Sequence, residues 1–282
     1  MIRKYKEQIM QVVFLLTACV SIAAVVLICV YLLGNGIPTI FKIGLSNFFG
    51  TVWKPSKNLF GIVPMIVGSI YVTAGAIVIG VPIGLLCAIY LSRFCPKGIY
   101  RILKPAVELM AGIPSIVYGF FGLMIIVPVI QRLTGTSGKS LLTASILLGI
   151  MILPTIISVA ESSLNAVPNS YYEGSLALGA THERSVFSAV LPAAKSGVMS
   201  GVILGVGRAI GETMAVIMIA GNQAIMPSGL LKGLRTMTAN IVLEMGYASG
   251  LHREALIATG VVLFVFILII NTCFSLLKRR NG

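Results

Sequence analysis

Six stretches of this 282-residue chain are almost continuously apolar, and each is long enough to cross a bilayer as a helix of about 20 residues. They cover residues 9–33, 60–91, 106–130, 141–160, 197–220 and 255–277. The pattern predicts an all-α polytopic membrane protein with six transmembrane helices. The second stretch exceeds what a span requires, so residues 60–65 are expected at the interface before the chain turns inward. The first is too long, and lacks the small-residue cleavage site, for a removable signal peptide. No linker, low-complexity tract or strong repeat divides the chain, and residues 1–282 read as a single transmembrane domain.

The polar interruption at 167–192 carries its own punctuation. Ser170, Tyr171, Tyr172 and Glu173 fit a capping box, which predicts a short helix starting there. Leu176 and Leu178 carry it to Gly179, where the absence of a Cβ permits a left-handed turn. Thr181 is placed to cap a second short helix, with Glu183 in its first turn on the favourable side of the dipole. Pro192 then stops or redirects the chain as apolar sequence resumes.

Composition narrows the class. The chain is 57% hydrophobic, only 10% charged, and has a mean hydropathy of +1.00, which leaves too few polar groups to cover a soluble globule. All eight acidic residues are Glu and the net charge is +13, yet the basic residues are scattered over short loops without a basic stripe or stacking platform. Nucleic acid is therefore not an expected partner; membrane lipid is. Twelve Lys and Arg fall in the termini and the loops on one side, including Arg3, Arg93, Lys104, Arg184 and Arg280. Eight fall on the other, including Lys42, Arg132 and Arg235. This excess places both termini and the 167–192 loop in the cytoplasm. With only Glu244 and Glu254 nearby, the eight outer cations are expected to gather anions. Four of the five Cys lie in apolar stretches, so no disulfide framework is implied.

Two charges interrupt the fifth stretch. Arg208 and Glu212 sit about midway along GVMSGVILGVGRAIGETMAV, where a charge costs about 2.5 to 3.5 kcal/mol. On a continuous helix they share a sector of roughly 80° with Gly197, Gly201, Gly205 and Ala215. Overlapping GxxxG units on that face predict close approach by another helix. One reading makes the two a packed ion pair, four residues apart. The other makes Arg208 a planar fork of donors for a passing oxyanion, held by Glu212 until the anion arrives.

Other motifs fail on spacing. TGTSGKS (134–140) ends like a phosphate-binding loop but has Leu133 where the first glycine belongs. The glycines at 205, 207 and 211 miss the dinucleotide spacing by one residue. His182 and His252 are far apart, with no partner spacing suited to a metal. No nucleophile with a base and an orienter is present, so the chain is not expected to be an enzyme or to bind a cofactor. Pro114, Pro128 and Pro154 are expected to kink or open helices, either shaping their packing or lining a path with Ser115 and Tyr118.

The spacing of Glu173, Gly179, Leu191 and Pro192 resembles the EAA loop of binding-protein-dependent ABC importer permeases, with Gly174, Ser175 and Ala189 departing from the usual pattern. RAIGETMAV (208–216), AGIPSIVYGFFGL (111–123), ILPTIISVAESSLNAVP (152–168) and EMGYASGLHREALIATG (244–260) together resemble the PstC-type permeases of phosphate importers. The resemblance implies a type I, MetI-like fold and a non-enzymatic subunit that carries inorganic phosphate through the cell membrane. It implies that Glu173, Gly179, Leu191 and Pro192 couple the chain to a PstB-type ATPase dimer, which is where ATP is used. Arg208 and Glu212 would serve phosphate passage, beside a PstA-type sister permease and a PstS-type extracytoplasmic phosphate-binding protein. Sulfate or molybdate as cargo, or a stand-alone anion channel or carrier, are the rival readings.

Overall fold

A computed structural model describes residues 2–280. The side chains of Arg3, Lys4, Lys6, Lys278, Arg279 and Arg280, which enter the charge asymmetry, lie outside those described. The chain opens with α1 (Ile2–Ile43), the short α2 (Leu45–Phe48) and a hairpin of β1 (Trp53–Lys54) and β2 (Leu59–Phe60). There follow α3 (Val63–Ile89), α4 (Lys97–Gly112), α5 (Ser115–Phe121), α6 (Val127–Thr134) and α7 (Leu141–Asn165). The polar loop holds α8 (Asn169–Ala177), α9 (His182–Ser185) and α10 (Leu191–Ala193). It leads into α11 (Lys195–Gly211), α12 (Met214–Ile219), α13 (Met237–Met245) and α14 (Gly250–Arg280).

Among the described residues, five helical segments are long and apolar enough to cross a membrane: Ile9–Ile43, Val63–Phe94, Ser115–Thr134, Leu141–Asn165 and Gly250–Cys273. A sixth crossing needs the bent pair His182–Ala193 and Lys195–Gly211, which meet at 72°. Two expected boundaries move. Residues 106–112 belong to the amphipathic α4, and the third span starts only at Ser115, because Ile113 is forced out of the helical region by the ring of Pro114. The fifth stretch is not one helix either: α11 stops at Gly211 and α12 restarts at Met214. Pro154, by contrast, sits inside an α7 that continues through it.

The core is built around α7. Its side chains Leu147, Leu148, Met151, Ile152 and Ile156 are almost wholly buried. Close approach explains how helices reach it from both sides. A Cβ on Gly80 would lie 2.7 Å from the Gly149 carbonyl oxygen, and one on Gly205 would lie 2.8 Å from Ile156. Gly75, Gly80 and Gly84 meet Ser145, Gly149 and Ile156 in that order, so α3 and α7 run in the same direction. Gly197, Gly201 and Gly205 meet Ser163, Val159 and Ile156, so α11 runs the opposite way, and the partner predicted for the GxxxG face is α7.

At the far edge α1 and α14 are antiparallel, with Gly36 against Val261 and an ion pair of 2.8 Å between Lys42 and Glu254. These directions put both termini and the 167–192 loop at one end of the bundle. The hairpin and the 220–249 segment cap the other end, over a cluster that includes Phe48, Trp53, Phe60, Met65, Met237 and Leu256.

Candidate functional site

Arg208 lies in the last turn of α11, half-buried, on the side turned to α7. Its guanidinium reaches Thr155 Oγ1 at 3.5 Å, the long limit of a hydrogen bond. Among the described residues that is its only hydrogen-bond partner, and no carboxylate lies within ion-pair distance. Most of the guanidinium's five donors are thus uncommitted in an apolar bundle. The hydroxyl of the buried Tyr118 donates to the Met110 carbonyl at 2.9 Å. Ser115 is half-buried at the start of the same short helix.

Glu212 does not pair with Arg208. The expectation of two charges four apart on one helix face fails because the helix ends between them, and Glu212 takes an extended conformation with φ −67° and ψ 130°. Its Oε1 accepts hydrogen bonds from the backbone N–H groups of Thr213 and Ala215, each at 3.1 Å. Its own carbonyl accepts from Thr238 Oγ1 at 3.1 Å. Gly207 and Gly211, on either side of Arg208, lower the helix propensity of this turn, and a side chain that bonds the local backbone competes with helix continuation.

The 167–192 loop forms a two-helix projection. The Ser170 capping box is absent: α8 starts two residues earlier than that cap would give, after Pro168, and no side chain caps it. Pro168 occupies the N-cap instead, with φ −54° and ψ 137°. Its C-terminus matches expectation. The Gly179 N–H bonds the Leu176 carbonyl at 2.8 Å, the Ala180 N–H bonds Ser175 at 3.2 Å, and Gly179 has φ +85°, a Schellman motif. Thr181 caps α9 by accepting from the Arg184 N–H. The Glu183 carboxyl is held below its usual range by its own backbone N–H and by the Thr181 hydroxyl. Tyr172 and His182 share a hydrogen bond of 2.7 Å that ties the two short helices together, and Phe94 packs edge-on against the imidazole.

Glu173 is exposed on α8, and Gly179 forms the turn. Leu191 is half-buried at the root, against a cluster containing Leu164, Val186 and Val190, and Pro192 is exposed beside it. The four residues expected to couple the chain to an ATPase therefore divide between tip and root. The chain turns at Ala194, two residues past Pro192. A π-helical turn at Val186–Val190 precedes that proline, as another at Gly122–Ile126 precedes Pro128, relieving the clash of each ring with the carbonyl four residues back.

Sequence reasoning missed three features. Leu178 is 91% exposed at the tip of the loop, an apolar side chain held out into solvent. Glu161, only 2% exposed, accepts from Tyr100 and Lys104 at 2.7 Å each and pins α4 to α7. Its signal was a lone acid within an apolar run. Glu244 is a buried hub that receives Arg235, His252 Nε2 at 2.8 Å and Trp53 Nε1 at 2.9 Å. Arg235 also bonds the Asn240 side chain and the Asn222 carbonyl. With Lys42 held by Glu254, two of the eight cations expected to gather anions at this end are already neutralised.

Comparison with known proteins bears on both regions. The family model described as "Binding-protein-dependent transport system inner membrane component" matches residues 80–281. The chain is 37% identical to a probable ABC transporter permease, YqgH, of Bacillus subtilis, over 91% of this chain and 88% of that one. It is 35% identical to the phosphate transport system permease protein PstC of Xylella fastidiosa, over 95% and 91% respectively. Among solved structures, a chain of a bacterial alginate ABC transporter bound to its alginate-loaded periplasmic protein aligns with TM-score 0.64 at 13% identity, covering 94% of each chain. A chain of the MetNI methionine ABC transporter in an inward-facing conformation aligns with TM-score 0.58 at 21% identity, covering 82% of this chain and all of the other.

Proposed function

The chain belongs to the family of binding-protein-dependent transport system inner membrane components, and we propose that it is the permease subunit through which an ATP-driven importer passes inorganic phosphate. The observation that carries this reading is Arg208: a guanidinium within the bundle that has, among the described residues, one weak partner and no carboxylate. An uncompensated charge at that depth is costly unless a ligand or water meets it, and its planar fork suits a tetrahedral oxyanion. The similarity to phosphate permeases over most of the chain supports phosphate as that anion.

In this reading the loop and both termini face the cytoplasm. The exposed Leu178 and Glu173 meet a PstB-type ATPase dimer, while Leu191 roots the projection in the bundle. A PstA-type permease supplies the other half of the pathway, and a PstS-type protein delivers phosphate to the end capped by the hairpin. The ATPase subunits use the ATP; this chain holds no cofactor. Closure of the ATPase dimer moves the projection, and the bundle re-orients about α7 as a packed body.

The test is phosphate uptake by the assembled transporter in membrane vesicles. Arg208→Ala is expected to lower uptake by about a hundredfold while the complex still assembles. Leu178→Asp is expected to leave the chain in the membrane and reduce co-purification of the ATPase. Uptake that responds equally to sulfate or molybdate, or uptake by the purified chain alone, would overturn the reading.

A further inference from the structure

Three consecutive residues at the end of α3 hold the root and the body of the polar projection. The α-helix gives way there to a π-helical turn, Tyr90–Phe94. From that turn the Ser92 hydroxyl donates to the Asn165 side chain at 2.6 Å, and the Arg93 guanidinium donates to the Leu164 carbonyl at 2.7 Å. Both acceptors belong to the last turn of α7, where carbonyls lack helical partners and a cation meets the favourable end of the dipole. Phe94 packs its ring edge-on against His182, with 4.6 Å between centroids.

Successive residues of a helix point roughly 100° apart, so a helix end lying along one surface could not engage through all three. This end is inserted between the last turn of α7 and α9. His182 is held from the far side as well, because Tyr172 of α8 shares the 2.7 Å hydrogen bond with its Nδ1. The imidazole is thus the joint at which α8, α9 and α3 meet.

From this joint α3 runs back into the bundle. About 15 to 25 Å along its axis, Ile77, Val81 and Leu85 pack against Val202, Val206 and Ile210 of α11. Val206 and Ile210 stand on either side of Arg208 in the sequence. The chain's own entry into α11 is bent by 72°. A straight helix packed at both ends passes thrust that a bend would absorb, and α3 bypasses that bend.

We propose that Phe94 is a positioning residue for coupling: through the His182 ring it joins the projection to α3, and α3 carries the projection's movement to the stretch of α11 that bears Arg208. Ser92 and Arg93 keep the same end of α3 seated on α7. The inference rests on the reading in which the projection meets the ATPase, and it adds a route into the bundle that the chain's covalent path does not supply.

The assembled transporter in membrane vesicles tests this, with complex yield, ATP hydrolysis and phosphate uptake measured together. Phe94→Ala is expected to keep yield and hydrolysis while the phosphate moved per ATP falls by about threefold or more. Phe94→Tyr, which keeps the ring edge, is expected to retain the wild-type ratio. His182→Ala removes the other half of the contact and should lower the ratio as Phe94→Ala does. The double variant should lose no more than either single one, since both remove one contact. A role in folding alone predicts a different result, with yield, hydrolysis and uptake falling in proportion and the ratio unchanged.

An unchanged ratio in Phe94→Ala would overturn the inference, and so would an equal loss in Phe94→Tyr. If Phe94→Ala does not assemble, His182→Ala decides alone: a lowered ratio supports the link and an unchanged one refutes it. Leu178→Asp separates the inference from the reading beneath it. Full retention of the ATPase and of uptake in that variant removes the docking of the projection, and the link with it. Loss of the ATPase there, with an unchanged ratio in Phe94→Ala, removes the link alone.

Discussion

Arg208 and Arg235 show what the same side chain becomes in two settings. Arg235, at the capped end, is firmly held: through Nε and Nη1 it reaches Glu244, Asn240 and the Asn222 carbonyl, and the carboxylate it meets is shared with Trp53 and His252. Arg208, in mid-bundle, has Thr155 at 3.5 Å. A guanidinium locked onto the carboxylate that joins the hairpin, α13 and α14 is part of one cap, whereas one with a single weak partner still has donors to offer a ligand. Net charge does not separate the two; the number of fixed acceptors does.

The comparison can be broken most sharply at Glu244. Glu244→Ala strands Arg235 and two further donors in a buried site, which costs about 3 to 5 kcal/mol and should appear as lost folded yield or a lowered unfolding temperature. Arg208→Lys should do the reverse, leaving yield intact while phosphate uptake falls by about tenfold or more, since an ammonium cannot reproduce the planar fork. Arg235→Lys is a milder probe, with about 1 to 3 kcal/mol expected from unmade bonds at Asn240 and Asn222 and little change in uptake per folded complex. Thr155→Val removes one long bond and should change uptake by about threefold or less, without affecting yield.

The smallest effect lies away from both arginines. The folded-state pKa of Glu183 is depressed, so its contribution to α9 is present above its ordinary value and is lost as pH falls through the lowered one. Acidification through and below the carboxylate range, about 4, should therefore loosen α9 before it disturbs the bundle. Hydrogen exchange at residues 181–185 would show it.

How legible each feature was depends on whether its cause is local. Gly179 and Thr181 declared their turn and cap through backbone chemistry that needs no distant partner, and both stand where expected. Arg208 was visible because a charge in an apolar run has few explanations. The Ser170 capping box is lost because Pro168, with ψ 137°, already stands at the N-cap, which puts Ser170 inside the first turn, where it cannot cap.

The break at Glu212 was not legible. Periodicity runs through it without a proline, and its determinants are a carboxylate folding back on the next turn and a threonine 26 residues away. The Glu244 hub was hidden for the same reason: Trp53 is 191 residues from it in sequence, and no spacing rule links the two.

Helix α7 runs uninterrupted from the capped end of the bundle to Asn165, where the polar projection begins. Thr155 lies ten residues before that end, about 15 Å along the axis. It is therefore a push rod between the root of the projection and the seat of the guanidinium, with a single soft joint at Pro154, whose ring leaves one rung of the helix unmade. Any thrust applied to the root must either carry Thr155 along with it or flex the rod at that joint, beside the hydroxyl that meets Arg208.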